Sequence, residues 1–323
     1  MELWCVTPFF APFESDVRYK NFEIFAQRML DAGVNLLTVE LLYPWTKRRL
    51  PHIGKIVPME TSDVLWHKES MINHGFSLLP ESCDIAMYMD SDLIFKDADW
   101  VEKLKDLARE YDVIQCFQTC HHLPRGSTST STPPLISIDS FSYKASTLHN
   151  ERQKQLLLKR APGGSWAYVA PYFREDPLYD RTPFGMCDRI TADYIHGINN
   201  SSLLEKLTPA HQEDIRQWTQ KRAPVVRSTF LHTDVLHLWH GALVNRKYSN
   251  TLEILQEHGF DPKQDLQKRN GIYQWSSQKP DLHRATLQHY QQVEDSKNCT
   301  GLSAFLRNSW KCSALKVLSI IQL

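Results

Sequence analysis

The chain has 323 residues, 42% hydrophobic and 11% aromatic, enough to bury one large α/β core or two modest ones. Its 37 basic residues balance 37 acidic ones, which excludes a global field drawing it to nucleic acid or an anionic membrane and leaves room only for a local basic patch. The seven cysteines, Cys5, Cys83, Cys116, Cys120, Cys187, Cys299 and Cys312, are odd in number, scattered and set mostly among apolar residues, the pattern of reduced core thiols in a cytosolic protein.

Met1 runs almost directly into Leu3-Trp4-Cys5-Val6, without the basic segment, long apolar stretch and small-residue cleavage site of a secretory signal. A cytoplasmic location is therefore expected, and the Asn-x-Ser/Thr triplets at Asn199, Asn200 and Asn298 read as accidental. Leu3 to Val6 predicts a short first strand, stopped by the rigid loop Thr7-Pro8-Phe9-Phe10-Ala11-Pro12. A helix follows over about Val17 to Ala32, with Phe22, Phe25, Ala26, Met29 and Leu30 on one face and Gly33 as its stop. Val34 to Leu41 is a second strand, and this β-α-β opening implies a right-handed crossover and a parallel sheet. Beyond a connection rich in Pro and Arg come a helix over Trp66 to Gly75, a strand from Ile85, a helix over Trp100 to Tyr111 and a strand over Asp112 to Phe117.

Gly126 to Pro134 is a low-complexity Ser/Thr segment, and a mobile loop near 121–135 is expected. Helical pattern resumes around Leu148 to Lys159, Gly163 to Ala167 reads as a strand, and Thr191 to Lys221 reads as mainly helical. Val235 to Gly241 is the last obvious strand and loop. Residues 1–295 are expected to form the catalytic domain and 296–323 a helical tail. That tail is too interrupted by Arg307, Lys311 and Lys316 to span a bilayer, but could dock on the core or make peripheral contact with a partner or membrane surface.

The run Ile85-Ala86-Met87-Tyr88-Met89-Asp90-Ser91-Asp92-Leu93-Ile94-Phe95 is the chemical centre of the chain. Continuous apolar residues mark a strand buried on both faces, and alternation aims Asp90 and Asp92 the same way. Two like charges there repel and invite a divalent cation, magnesium or manganese, although a solvated strand end would look the same. Four other stretches bear on the choice. Lys68 and Asn73 lie on the helix entering the same sheet edge, where a cation and an amide could hold a nucleoside diphosphate and its base; a surface lysine and a helix-end asparagine are the plain reading. Gly163-Gly164-Ser165-Trp166 could let backbone approach a ligand under an aromatic ring, or be a simple turn. In Leu178 to Asp188, Phe184 could stack on a sugar and Asp188 serve as a general base, or merely cap a helix. His237 and His240 are a ligand pair three apart, or core histidines.

In this order, the motifs resemble the catalytic domain of the beta-1,4-galactosyltransferase family, a GT-A-fold group of nucleotide-sugar glycosyltransferases. The family's helix carrying arginine, lysine, asparagine and glycine is matched by Trp66 to Gly75, with Trp66 where arginine would be. Its Asp-Val-Asp is matched by Asp90-Ser91-Asp92, and its Gly-Gly-Val-Ser by Gly163 to Trp166. Its Trp-Gly-Gly-Glu-Asp falls on Phe184-Gly185-Met186-Cys187-Asp188, and its Met-x-x-His on His237-x-x-His240. Phe184 for tryptophan changes the acceptor platform, and Cys187 for glutamate removes a polar contact to the sugar. The resemblance covers about residues 1–250.

That resemblance implies a GT-A (Rossmann-like) mixed, mainly parallel sheet flanked by helices. It also implies Mn2+ or Mg2+ held by Asp92, His237 and His240, with Asp90 bridging or nearer the ribose. Thr7, Lys68, Asn73, Asp90, Gly164, Trp166, Phe184 and Arg246 would surround a nucleoside-diphosphate sugar, Trp166 and Phe184 bracketing the sugar itself. Asp188 would take the proton of the attacking hydroxyl. The acceptor stays open among a glycan, a lipid-linked saccharide, a protein and a hydroxymethylated DNA base flipped into the pocket. A metal-dependent phosphohydrolase or nucleotidyltransferase could use the same carboxylates, and a sugar-binding module is the third alternative.

Overall fold

The computed structural model describes residues 1–129, 131–148, 160–175, 178–198, 201–221, 227–241 and 250–295. The helix expected beyond Leu148, Arg246 with its neighbours, and the 296–323 tail lie outside these residues. The opening is β1 (Leu3–Phe10), α1 (Asp16–Asp31), β2 (Asn35–Leu42) and an edge strand β3 (Lys55–Glu60). Next come α2 (Lys68–Ser77), β4 (Ile85–Met89), β5 (Leu93–Phe95), α3 (Trp100–Leu107), β6 (Val113–Gln115), β7 (Thr119–His122), β8 (Ile136–Asp139), α4 (Phe141–Ser146) and β9 (Ser165–Val169). Then follow α5 (Cys187–Ile195), α6 (Pro209–Gln220), β10 (Ser228–Phe230), β11 (Asp234–His237), β12 (Leu266–Arg269), β13 (Ile272–Trp275) and α7 (Pro280–Asp295).

The main sheet has the strand order β10-β6-β9-β4-β1-β2-β3. It is parallel except for β9, which runs antiparallel to both β4 and β6. This is the mixed, mainly parallel sheet flanked by helices that the sequence implied. Alternation along β4 explains why its sequence is apolar throughout: Ile85, Met87 and Met89 face a layer built on Phe22, Phe25 and Met29 of α1 and on Trp100 of α3, while Ala86 and Tyr88 face Met71, Ile72 and Phe76 of α2. A smaller sheet, β5-β11-β7-β8, stands beside it. The aspartate run therefore does not continue one strand, but turns between two sheets after Met89, closed by Leu93 N–H donating to Asp90 O at 3.1 Å.

Other expectations need correction. Thr7 and Pro8 do not stop β1, which continues to Phe10 paired with β2. Pairing with β4 ends at Val6, so β1 is flanked on one side only where proline occurs, the place a strand tolerates it. β3 escaped notice because its Pro58 argues against a strand, yet β3 is an edge. The loop expected near 121–135 is flanked by Thr119–His122 and Ile136–Asp139, which pair antiparallel as β7 and β8. Val235–Gly241 is not the last strand: β12 and β13 form a hairpin through Asn270 and Gly271, at φ 49° and 90°. Among the described residues, no helix is long and apolar enough to cross a membrane.

The packing of α2 on the sheet depends on Gly75. A Cβ there would overlap Val6 Cγ1 and press on Val39 Cγ2 at 3.2 Å, both on strands that cannot easily retreat. Gly75→Ala is expected to destabilise the protein by about 1–3 kcal/mol through overpacking, read as a lowered midpoint of urea unfolding with unchanged slope.

Candidate active site

Asp92 sits on the turn between the two sheets and is joined there by the end of β11. The register that pairs His237 with Leu93 carries the histidine segment to the aspartate, and Leu238 N–H donates to Asp92 O at 2.8 Å. His240 Nε2 lies 3.1 Å from Asp92 Oδ2, and His237 Nε2 lies 3.9 Å from Asp92 Oδ1. One donor atom from each of Asp92, His237 and His240 falls within 4.8 Å of the other two. His237 Nδ1 is 2.9 Å from Leu238 O; a proton donated there leaves Nε2 with its lone pair towards the aspartate. One carboxylate and two imidazoles fit a manganese-class divalent ion.

Next to this cluster stands a buried ion pair: Lys68 Nζ is 2.6 Å from Asp90 Oδ1. Burial works against the Lys68 ammonium, but the carboxylates of Asp90, Glu69 and Asp188 outweigh it and hold its pKa above the ordinary lysine value. Burial pushes the Asp90 carboxyl upward and Asp92 adds to this, against the pull of Lys68. Asp188, in the first turn of α5, is pushed upward chiefly by burial, while Lys68 pulls the other way. Its Oδ1 accepts from Arg189 N–H at 2.7 Å, and a Cβ on Gly163 would collide with Oδ2, so Gly163 is the residue that makes room for this carboxylate. Glu69 is buried as well, and desolvation, reinforced by Asp188, raises its pKa to about 8 despite the opposing Lys68.

A cavity of about 220 Å3 opens over this group. Lys68, Asp90, Asp92, His237 and His240 form its charged wall; Phe10, Phe13, Trp66 and Tyr290 supply an aromatic one. Asp188 is not part of that lining; it is partly exposed and stands in the field of Lys68 and Asp90.

The other candidates are placed differently. Thr7 is fully buried, and its hydroxyl donates to Met89 O at 2.8 Å, fixing the end of β4. Asn73 points to the opposite side of α2, where Oδ1 accepts from Leu178 N–H at 2.9 Å and Nδ2 donates to Leu178 O at 2.9 Å and Asp180 Oδ2 at 3.0 Å. It clamps the segment leading to α5 instead of lining the cavity. Gly164, at φ 92°, supports the turn carrying Asp90 and Asp92 by accepting from Asp90 N–H at 2.8 Å. Trp166 and Phe184 are 1% and 0% exposed; Trp166 donates to Pro162 O at 2.8 Å, and Phe184 stacks on Tyr290 with ring centroids 6.1 Å apart. Neither lines the cavity, because both fill apolar clusters.

Sequence reasoning assigned no role to Glu69, Arg18 or Asn21. Arg18 and Asn21 line the cavity from α1; Arg18 donates to Phe10 O at 3.1 Å, and Asn21 donates to Trp239 O at 3.2 Å beside the histidines. Only their polarity at the start of an otherwise apolar-faced helix marks them.

No family model and no curated protein matches this sequence. Solved structures do show likeness. The catalytic domain of Drosophila beta-1,4-galactosyltransferase 7 in complex with xylobiose is 13% identical over 61% of this chain and 63% of that chain, with a TM-score of 0.31. A mutant of that enzyme in complex with manganese, UDP-Gal and xylobiose gives 11% identity over 62% and 63%, also at 0.31. The 4-diphosphocytidyl-2C-methyl-D-erythritol synthase of Anaerococcus prevotii gives 9% over 72% and 89%, at 0.32. This chain thus spans less than two thirds of the length of the two galactosyltransferase structures. The likeness concerns the fold alone.

Proposed function

We propose that this chain is a metal-dependent glycosyltransferase that moves a hexose or related sugar from a nucleoside-diphosphate sugar, with a UDP-sugar as first choice, to an acceptor hydroxyl with inversion. The observation that carries this reading is the gathering of Asp92, His237 and His240, brought from distant parts of the chain, beside the Lys68–Asp90 pair in one cavity wall. Asp92, His237 and His240 would hold the ion, which when bound supplies positive charge against the departing diphosphate. Lys68 adds a second positive charge next to it, and Asp90 orients that ammonium. The acceptor oxygen attacks the anomeric carbon, the bond to the diphosphate breaks with its electrons, and Asp188 accepts the hydroxyl proton. Its raised pKa suits a base that must hold that proton.

A thermal-shift panel of UDP-, GDP-, CDP- and dTDP-sugars with manganese tests this reading, because ligand held by the native state raises the melting temperature. One nucleotide-sugar class is expected to stabilise the protein only when manganese is present. No shift with any of them, or products from a sugar phosphate and a nucleoside triphosphate instead of a glycoside, would replace it with a nucleotidyltransferase or another chemistry.

A further inference from the structure

A pyranose presents polar hydroxyls at its rim and an apolar face of C–H bonds, so a site for it pairs fixed charges with an aromatic plane. The charged wall of the cavity is described above, but the two rings expected to bracket a sugar, Trp166 and Phe184, are buried elsewhere. Trp66 does line the cavity and is partly exposed. Phe10 meets its ring edge-on at 5.7 Å and 89°, and the Trp66 backbone N–H donates to Pro183 O at 3.0 Å, fixing the chain from which the ring projects. Against the ring lies Gly185, where even a Cβ would come within 3.5–3.7 Å of three indole atoms, so any larger side chain would cover that part of the ring. The indole Nε1 donates to Glu69 Oε2 at 2.8 Å, and among the described residues Glu69 Oε1 has no hydrogen-bond partner.

We infer that Trp66 is the sugar-stacking platform of this site and that Glu69, one helical turn on, is the residue that positions it. The inference rests on the glycosyltransferase reading for the identity of the ligand, a pyranose ring. It also accounts for a substitution pattern in the sequence. Where the resemblance puts tryptophan and, three residues later, glutamate, this chain has Phe184 and Cys187, both packed into one apolar cluster with Leu65. A tryptophan and a glutamate with the same separation enter instead around the N-terminus of α2, Trp66 just before the helix and Glu69 in its first turn. Glu69 is 2% exposed and neighbours Lys68, whose ammonium pairs with Asp90. Its anchor therefore ties the orientation of the indole to the same helical turn that holds the diphosphate-facing charge.

The test compares UDP with UDP-glucose, UDP-galactose, UDP-N-acetylglucosamine and methyl β-D-glucoside by titration calorimetry with manganese. Trp66→Ala is expected to weaken the UDP-sugar or the methyl glycoside roughly tenfold or more while leaving UDP within about twofold, the scale of a lost stacking ring. The arm that responds identifies whether the donor or the acceptor sugar lies on the platform. Trp66→Phe, which keeps a ring, should recover most of the loss. Glu69→Gln retains an oxygen to accept the indole N–H and should bind sugar nearly as wild type; Glu69→Leu should lose sugar affinity and raise KM more than it lowers kcat. Equal weakening of UDP and UDP-sugar in Trp66→Ala, or Glu69→Leu matching Glu69→Gln, overturns the inference. If the wild type binds no UDP-sugar, the glycosyltransferase reading fails first. Methyl glycoside binding that Trp66→Ala abolishes would then still support the platform, and absence of that binding would overturn it.

Discussion

Asp92→Asn is expected to reduce metal-dependent turnover by roughly 10²- to 10³-fold, the cost of removing one preorganised stabiliser of developing charge. The reasoning is geometric. Asp92 is the one carboxylate of the three-residue cluster, and His237 and His240 approach it from the end of β11. Asparagine keeps the shape and one oxygen but removes the charge that offsets a divalent ion. The check is a manganese titration of diphosphate release beside a manganese-induced melting shift: the wild type responds in both and loses the response on chelation, and the variant responds in neither. Undiminished activity in Asp92→Asn would refute the site.

Asp188→Asn should lower the rate of transfer by roughly 10²- to 10⁴-fold, the range for removal of a general base, while donor affinity is retained. Lys68 is paired with Asp90 and not with Asp188, so the isosteric change leaves that pair in place. Burial keeps its carboxyl above the usual range, a condition suited to taking up a proton near neutral pH. Single-turnover transfer and calorimetric donor binding separate the two effects. Loss of donor binding in this variant would make Asp188 a ligand-holding or structural residue instead.

The core of the fold was legible because burial on both faces writes itself into a strand as an unbroken apolar run. β4 and the β1-α1-β2 opening show this directly, and the aspartates at the end of β4 were legible with them. β3 was not, because a proline on an edge strand looks the same as one in a loop until the neighbours are known. The β12–β13 hairpin did have a signal, since Asn270-Gly271 is the dipeptide that a tight hairpin turn selects. At the site, residue type gave the ligands but not the direction of the side chains. Asn73 and Lys68 lie on the same short helix, yet one faces the 178–180 segment and the other faces Asp90. Similarly, an aromatic residue in a motif can fill a core or cover a ligand. Phe184 and Trp166 do the former, and only packing decides it.

The ligand cluster spans the junction between β5 and β11, antiparallel strands from distant parts of the chain. An ion held there would be a chain cross-link as well as a reagent, closing a long loop whose entropic cost grows only with the logarithm of its length. Because those ligands meet only once the smaller sheet has formed, the affinity of the site is coupled to the assembly of that sheet. The ion that would stand against a diphosphate would thus also brace the second sheet, and its removal is expected to loosen that sheet as well as to stop turnover.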